Sequence, residues 1–363
     1  EANRLGMQVF ITDHHLPGNR LPDAAVIVNP NQPGCSFPDK HIAGVGVIFY
    51  VMLALRSELR ERGAFTATGK EPNLASLLDL VALGTVADVV RLEGTNRILV
   101  QQGLQRIRNG YCCAGIHALF NAAGRDFSRI TTYELGFILA PRLNAAGRLD
   151  DMSLGIECLL TEDESHALRL ASELDELNRQ RREIESGMRD EAMDKLDDVI
   201  DLLNQSDTPA DNGKQSVYSL CLYDPAWHQG VIGLIASRVK DRLHRPAIVF
   251  AQGNDGEIKG SGRSIPGLHL RDALDLVAKR YPGLIVKFGG HAMAAGLTVY
   301  ERHFEQFRTA FEQVAQSLLT PADLIQVIET DGELAETDLT LELAQYLTNQ
   351  VWGQGFPEPS FNG

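Results

Sequence analysis

The sequence predicts an α/β protein in which a parallel-sheet domain is joined by a long helix to a second, smaller α/β domain. In both halves of the chain, short apolar or β-branched runs alternate with helix-length amphipathic stretches, which is typical of sheets covered by helices. A highly charged stretch with helical apolar spacing separates the halves. We expect one domain over 1–164, the connecting helix over 165–205, a second domain over 206–322 and an incomplete third over 323–363.

The composition is that of a globular protein. Of the 363 residues, 44% are hydrophobic and 23% are charged. No apolar run approaches the roughly 20 residues of a membrane span. The five cysteines form no Cys-x-x-Cys pair, which argues against a zinc ribbon or a disulfide framework and fits a reducing compartment. A net charge of −14 argues against non-specific coating of nucleic acid but permits a local basic groove. We expect a soluble, cytoplasmic protein.

The first predicted strand, Val9–Thr12, is followed directly by Asp13, His14 and His15. Sites in α/β proteins form beyond the carboxyl ends of strands. Two imidazoles and a carboxylate suit a divalent metal ion better than a core. A capping aspartate followed by two surface histidines is the alternative.

The next elements continue the alternation. A second strand over 26–28 runs into an Asn-Pro-Asn turn, and helices are predicted over 44–59 and 74–83. We expect Gly84 to end the second of these helices and to release a loop that carries Asp88. A carboxylate in so apolar a context needs a partner, which a metal ion or a capping role would provide.

Two arginines mark the end of the first half. Arg142 and Arg148 flank a run of small residues, and guanidinium groups without bulky neighbours can approach a phosphate closely. Surface ion pairing is the alternative. Beyond them, apolar residues at helical spacing predict one helix over about 165–204, too polar for a core and suited to a rod between domains.

The second half alternates again. A strand over 217–223, a helix over 231–243 and a strand over 247–251 are predicted from the spacing of apolar residues. Near the end of the chain, a further strand over 327–334 and a helix over 338–348 are expected.

Two glycine-rich segments follow these elements, over 259–264 and 287–296. Glycines let backbone amides approach a phosphate, and turns are the alternative for each segment. The polar donors within the two segments are Ser261, Arg263, Ser264 and His291.

Five segments, taken in order and spacing, resemble the RecJ family of the DHH phosphoesterase superfamily, bacterial exonucleases that degrade single-stranded DNA from its 5′ end. The Asp-His-His triplet alone would identify only the superfamily, whereas the arginine and Gly-Ser-Gly-Arg-Ser segments point to RecJ. The resemblance covers nearly the whole chain and implies that 323–363 begins an OB-fold domain. The segments are Thr12–His15, Gly84–Asp88, Arg142–Arg148, Gly260–Ser264 and Gly289–Gly296.

The resemblance implies hydrolysis of phosphodiester bonds with two Mn²⁺ or Mg²⁺ ions per complete site and release of 5′-mononucleotides. His14 and Asp88 would bind one metal ion. His15 would face the substrate phosphate as a catalytic residue, with Asp13 orienting it. The residues implied to bind the phosphate of the strand are Arg142, Asn144, Arg148, Ser261, Arg263, Ser264, Gly289, Gly290 and His291.

The resemblance also implies single-stranded DNA as the substrate, with single-strand-binding protein and a helicase as partners in recombination and repair, and no membrane. Two other interpretations stay open. A DHH oligoribonuclease or cyclic-dinucleotide phosphodiesterase shares the triplet and a Gly-Gly-His segment but lacks the long helix. A non-catalytic scaffold that binds DNA or partners would share the fold.

Both ends of the chain look cut, and the sequence departs from the family in one respect. RecJ proteins carry further metal-binding aspartates upstream of the triplet. In this sequence the triplet begins at residue 13, so these aspartates are not among its residues. We therefore expect a DHH domain truncated at its N-terminus that retains about half of one metal site. The chain alone is expected to be weakly active or inactive, although its parent is an exonuclease.

Overall fold

The structure is a computed structural model. It divides into two compact units, Glu1–Arg181 with Glu329–Gly363, and Arg182–Ile328. No helix within the described part is long and apolar enough to cross a membrane. The residues that the structure describes are 2–18, 20–66, 69–149, 151–183, 186 and 217–362.

The first unit begins with a parallel pair of short strands. Strand β1 (Phe10–Thr12) pairs in register with β2 (Val26–Val28), so Thr12 lies opposite Val28. Both are rich in β-branched or aromatic side chains, which favour extended backbone. Helix α1 (Gly44–Glu61) follows and contacts β1. The predicted strands and helix are confirmed here, as is the α/β class.

Helices make up most of the rest of this unit, around a core that includes Leu104, Ile116 and Phe120. A π-helical turn, Glu134–Leu139, leads directly into one of them. The helices in chain order are α2 (Leu78–Ala87), α3 (Gly94–Arg108), α4 (Ala114–Ala122), α5 (Ala140–Leu149), α6 (Ser153–Leu160) and α7 (164–183). Apart from residue 186, the remainder of the predicted connecting helix lies outside the described residues.

The expectation that Gly84 ends its helix is wrong. Helix α2 continues to Ala87, and a Cβ atom at Gly84 would lie 2.9 Å from Cγ1 of Val45 on α1. Glycine is required here for close packing of two helices. Asp88 therefore follows the helix directly as its C-terminal cap, with its N–H donating to the Gly84 carbonyl at 3.0 Å.

The second unit contains a five-stranded sheet in the order β3-β4-β5-β7-β6, of which only the β3–β4 pair is parallel. One helix covers one face over β3 and β4, and two helices cover the other face. The strands are β3 (Leu220–Tyr223), β4 (Ala247–Gln252), β5 (Glu257–Arg263), β6 (Lys287–Gly290) and β7 (Ala294–Tyr300). The helices are α8 (Ile232–Leu243) on the first face, and α9 (Leu270–Arg280) and α10 (Phe304–Leu318) on the second.

The first glycine-rich segment lies in strand β5, so the turn interpretation is wrong for it. A Cβ atom would lie 2.6 Å from the Phe250 ring if built at Gly260, and 2.8 Å from the Leu270 side chain if built at Gly262. Both glycines thus face the core and allow close packing. The second segment forms the β6–β7 hairpin, with a turn at 291–293.

The final segment packs within the first unit. The Leu92 N–H donates to the Gln354 carbonyl at 2.7 Å. The strand predicted over 327–334 is wrong, since only an isolated bridge at Glu333 occurs there. The predicted helix is present as α11 (Leu341–Thr348). The proposed domain boundaries, and an OB fold for this segment, stay predictions.

Candidate active site

The Asp-His-His triplet lies where the two parallel strands end. The Asp13 N–H continues the strand pairing by donating to the Val28 carbonyl at 3.0 Å. Beyond β2, the Asn29 side-chain amide donates to the His15 carbonyl at 2.9 Å, and the Asn31 amide donates to the His14 carbonyl at 2.7 Å. Two asparagines from the neighbouring strand end thereby fix the backbone of both histidines.

His14 and Asp88 come together from β1 and the C-terminus of α2. Nε2 of His14 lies 3.2 Å from Oδ2 of Asp88, and the two side chains are 17% and 38% exposed. A Cβ atom at Gly44 would lie 3.4 Å from Cδ2 of His14, so the start of α1 packs closely against the imidazole. The pair is held in place by three elements and remains accessible from solvent.

The spacing of this pair fits two ligands of one divalent metal ion. Adjacent ligands at about 2.1 Å in octahedral geometry are about 3 Å apart. An imidazole nitrogen with a carboxylate oxygen suits Mn²⁺ and related ions. Among the described residues, no group of three or more His, Cys, Asp or Glu side chains could hold a metal ion.

His15 is oriented by Asp13. Oδ1 of Asp13 contacts Nδ1 of His15 at 2.8 Å and accepts the backbone N–H groups of His14 and His15 at 2.7 and 3.1 Å. Partial desolvation acts to raise the pKa of Asp13, but these hydrogen bonds outweigh it and the net pKa is lowered. The hydrogen bond to Asp13 assigns the proton of the neutral His15 ring to Nδ1. The His15 side chain is 76% exposed, so its Nε2 atom can contact a ligand.

The residue after Asp88 is strained. Val89 has φ of 57°, in the left-handed region that β-branched residues avoid. Its side chain is 65% exposed, so no burial explains the conformation. The backbone thus turns sharply away from α2 immediately beyond Asp88. Such strain costs on the order of 1–3 kcal/mol and is concentrated at functional sites.

The arginine segment lies on helix α5. Arg142 is buried: its Nε donates to Asp175 of α7 at 2.8 Å and its Nη1 donates to the Ile138 carbonyl at 2.6 Å. These contacts hold helices together. Asn144 is exposed on the same helix, and the side chain of Arg148 lies outside the described residues. Phosphate binding by Asn144 and Arg148 stays a prediction, whereas the partners of Arg142 favour a role in the fold.

The second unit presents a basic sheet face, which we define as the surface of Lys259, Ser261 and Arg263 on β5, Gly296 on β7, and Lys287 and Gly289 on β6. Ser261 pairs with Gly296, which pairs with Gly289, so a row of small residues crosses the three strands on this face. The exposed Lys259 and Lys287 occupy the next row. The face therefore has a row of small residues that a ligand can approach closely, with cationic side chains beside it.

Arg263 is half-buried on this face. Its Nη1 donates to Ser261 Oγ at 3.1 Å and to the Gly262 carbonyl at 2.9 Å, and no carboxylate among the described residues is paired with it. Burial lowers the pKa of this guanidinium. A Cβ atom at Gly233 would lie 3.0 Å from Arg263 Nη2, so the first turn of α8 also lies here. A desolvated cation beside a helix N-terminus favours an anionic ligand.

The remaining predicted residues of this unit have different surroundings. Ser264 is buried, and its hydroxyl donates to the Leu268 carbonyl at 2.7 Å, so it serves the fold. Gly290 has φ of 146° before the β6–β7 turn. His291 is exposed at that turn, and its N–H donates to the Ala294 carbonyl at 2.8 Å.

Two family models match the chain: the DHH family N-terminal domain over residues 1–85, and the DHHA1 domain over residues 213–317. The single-stranded-DNA-specific exonucleases RecJ of Dickeya dadantii and Escherichia coli are 54% and 52% identical to it over its whole length. The chain spans 62% and 61% of those two relatives.

Two solved structures of RecJ proteins are similar to this chain over most of its length. RecJ from Thermus thermophilus in complex with Mn²⁺ is 32% identical, with a TM-score of 0.73 over 98% of this chain and 48% of that one. A crystal structure of exonuclease RecJ bound to manganese is 32% identical, with a TM-score of 0.61 over 89% of this chain and 73% of that one.

Proposed function

The chain belongs to the RecJ family of DHH phosphoesterases, and from that membership we propose that it acts in the hydrolysis of single-stranded DNA from the 5′ end. The products are 5′-mononucleotides, the metal is Mn²⁺ or Mg²⁺, and the setting is DNA recombination and repair. The single observation that carries the proposal is the distance of 3.2 Å between His14 Nε2 and Asp88 Oδ2, beside the Asp13–His15 pair.

His14 and Asp88 would hold one metal ion. When bound, a divalent ion of this kind polarises a phosphodiester and lowers the pKa of its water. The chain's own contribution is position: Asn31 fixes the His14 backbone, and the packed start of α1 fixes the ring. The two ligand atoms therefore need little rearrangement to share an ion.

His15 and Asp13 act together on the substrate. Asp13 holds Nδ1 of the imidazole, so Nε2 points away from it and can accept a proton or, in the charged ring, donate to a phosphate oxygen. Against partial desolvation, the hydrogen bond from the His15 side chain and those from the His15 and His14 backbones lower the pKa of Asp13 and favour its ionised form. Asp13 is thus a positioning residue for His15.

The basic sheet face would bind the strand through its phosphates. Arg263 supplies the half-buried guanidinium, and the row of small residues lets a backbone approach the sheet. Because these contacts involve phosphate and no base edge, they carry no sequence preference. Asn144, Arg148, Gly289, Gly290 and His291 belong to the same proposal, supported by the family motifs alone.

Three wider parts of the proposal rest on family membership. These are recruitment by single-strand-binding protein and a helicase, a cytoplasmic location, and the division into a DHH domain, a connecting helix, a DHH-associated domain and the start of an OB fold. Co-purification with the single-strand-binding protein of the source organism tests the first.

The function is tested with a short single strand carrying either a 5′-phosphate or a 5′-hydroxyl, in the presence and absence of Mn²⁺. We expect the chain to prefer the 5′-phosphorylated single strand over its duplex, and any product to be a mononucleotide from the 5′ end that is lost in His15→Ala. Preference for dinucleotides would favour an oligoribonuclease. Binding indifferent to Mn²⁺ and to His15→Ala would favour a scaffold.

A further inference from the structure

An aromatic groove of about 460 Å³ lies within the first unit, at the C-terminal end of α2. Ala87 and Val89, the residues on either side of Asp88, both line it. The groove therefore begins one residue away from a proposed metal ligand. We define the aromatic groove by its lining residues Val89, Tyr133, Phe137, Trp352, Gln354 and Pro357.

One wall presents two aromatic rings to solvent. Tyr133 and Phe137, at the π-helical turn, are stacked with ring centroids 5.1 Å apart and planes inclined by 26°. Their exposures of 56% and 65% are high for large aromatic side chains. Between them, a Cβ atom at Gly136 would lie 3.2 Å from Val86 Cγ1, so this turn is packed against the end of α2. The position of the rings relative to Asp88 is thereby fixed.

The lining residues around Trp352 are also held in place. The Trp352 indole N–H donates to the Leu347 carbonyl at 2.7 Å, and the Thr132 hydroxyl donates to the Trp352 carbonyl at 2.6 Å. The indole is stacked on Phe356 at 5.4 Å, and the Arg97 guanidinium covers the Phe356 ring at 3.8 Å. A flat ligand entering this groove meets aromatic surfaces that are already in place, which lowers the ordering cost of binding.

We propose that the aromatic groove binds one nucleobase of the single strand whose phosphate lies at the candidate metal site. The proposal rests on the proposed function. A base is tied to its phosphate through one sugar, so a phosphate at Asp88 brings a base to the adjoining groove. Stacking on exposed aromatic rings accepts any base, in keeping with a sequence-independent enzyme.

The test is an affinity measurement on the whole chain with a short 5′-phosphorylated oligothymidylate, its linkages phosphorothioate so that it is not degraded. An abasic residue is moved along the strand one position at a time. We expect one position near the 5′ end to cost about 5- to 150-fold in affinity, the range of one stacked base. Phe137→Leu should lower the affinity for the intact strand by a similar factor. In this variant the abasic residue at that position should cause no further loss of affinity.

Two further variants serve as controls. Phe137→Trp keeps an aromatic ring and should keep the affinity. Tyr111→Ala removes an aromatic side chain that is 66% exposed outside the groove and should have no effect. Both positions are exposed, so the folded state should tolerate the changes.

The outcomes separate the two proposals. If binding requires the 5′-phosphate but no abasic position matters, or Phe137→Leu binds as the unchanged chain does, the groove holds no base and the proposed function stands. A change in oligomeric state of Phe137→Leu without a change in DNA affinity would equally overturn the inference, because the groove would be a protein contact. If the unchanged chain and all the variants bind a 5′-phosphorylated strand and a 5′-hydroxyl strand with equal affinity, both proposals fail.

Discussion

Arg142 on α5 and Arg263 on β5 come from segments that predict the same phosphate-binding role, yet their surroundings differ. Arg142 is paired with Asp175 and donates to the Ile138 carbonyl. Within the described part of the chain, Arg263 donates to a hydroxyl and a carbonyl and pairs with no carboxylate. A motif supplies the side chain, but the tertiary partner decides whether its charge serves the fold or is available to a ligand.

The largest effect is expected for Arg142→Ala. It removes the guanidinium from a pair whose side chains are only 10% and 18% exposed, and Asp175 keeps only the more distant Arg179 at 3.6 Å among its described partners. Breaking such a pair costs about 3 kcal/mol of unfolding free energy, the lower end for a buried pair because Arg179 remains. Urea unfolding measures this loss, while DNA affinity below the transition should be unchanged. A stable variant with weakened DNA binding would reverse our assignment of Arg142.

Arg263→Ala should show the opposite pattern. Loss of charged hydrogen bonds to a phosphate corresponds to about 10- to 150-fold in affinity for a 5′-phosphorylated strand, with little change in stability. Fluorescence anisotropy measures it. The matched control is Lys279→Ala, which removes an exposed cation from α9 on the other side of the sheet. Equal losses for both variants would mean that only net charge matters.

A smaller effect on ligand binding is expected for Asn31→Ala in the first unit. The amide donates to the His14 carbonyl at 2.7 Å and to the Lys40 carbonyl at 3.0 Å, so it holds the backbone of the proposed ligand. Loss of a hydrogen bond that positions a metal ligand lowers metal affinity by about tenfold. Isothermal titration with Mn²⁺ measures it. The exposed Asn349→Ala serves as a control for removal of an amide. A Mn²⁺ affinity in Asn31→Ala equal to that of the control would contradict the positioning role of Asn31.

The smallest effect is expected for Val89→Gly. Glycine accepts φ of 57° without the strain of a β-branched side chain, and little burial is lost at an exposed position. Unfolding free energy should rise by about 1 kcal/mol. A decrease in the same urea experiment would show that Val89 contributes contacts that outweigh its strain.

Local patterns in the sequence predicted the elements that position the Asp-His-His triplet and Asp88. Alternation of strands and helices placed the triplet at a strand end, and the apolar context of Asp88 pointed to a partner. Contacts distant in sequence were not predictable. Asp175 lies 33 residues from Arg142, and the bond from Asn31 to His14 spans 17 residues.

The glycines show the same limit. Gly84 resembles a helix terminator in sequence, but its role depends on Val45 of another helix. Gly260 and Gly262 resemble a phosphate loop or a turn, but their role depends on core side chains from β4 and α9. The Asn-Pro-Asn turn after β2 is a sequence feature that could have indicated these bonds, because its amides lie at the same sheet edge as the triplet.

The most direct test of the account is a Mn²⁺ titration of the chain followed by the electron paramagnetic resonance signal of free Mn²⁺. We predict binding that Asp88→Asn and His14→Ala each weaken by more than about tenfold, while Arg263→Ala leaves it unchanged. Equal affinity in the unchanged chain and in both ligand variants would show that His14 and Asp88 do not hold a metal ion, and would contradict the account.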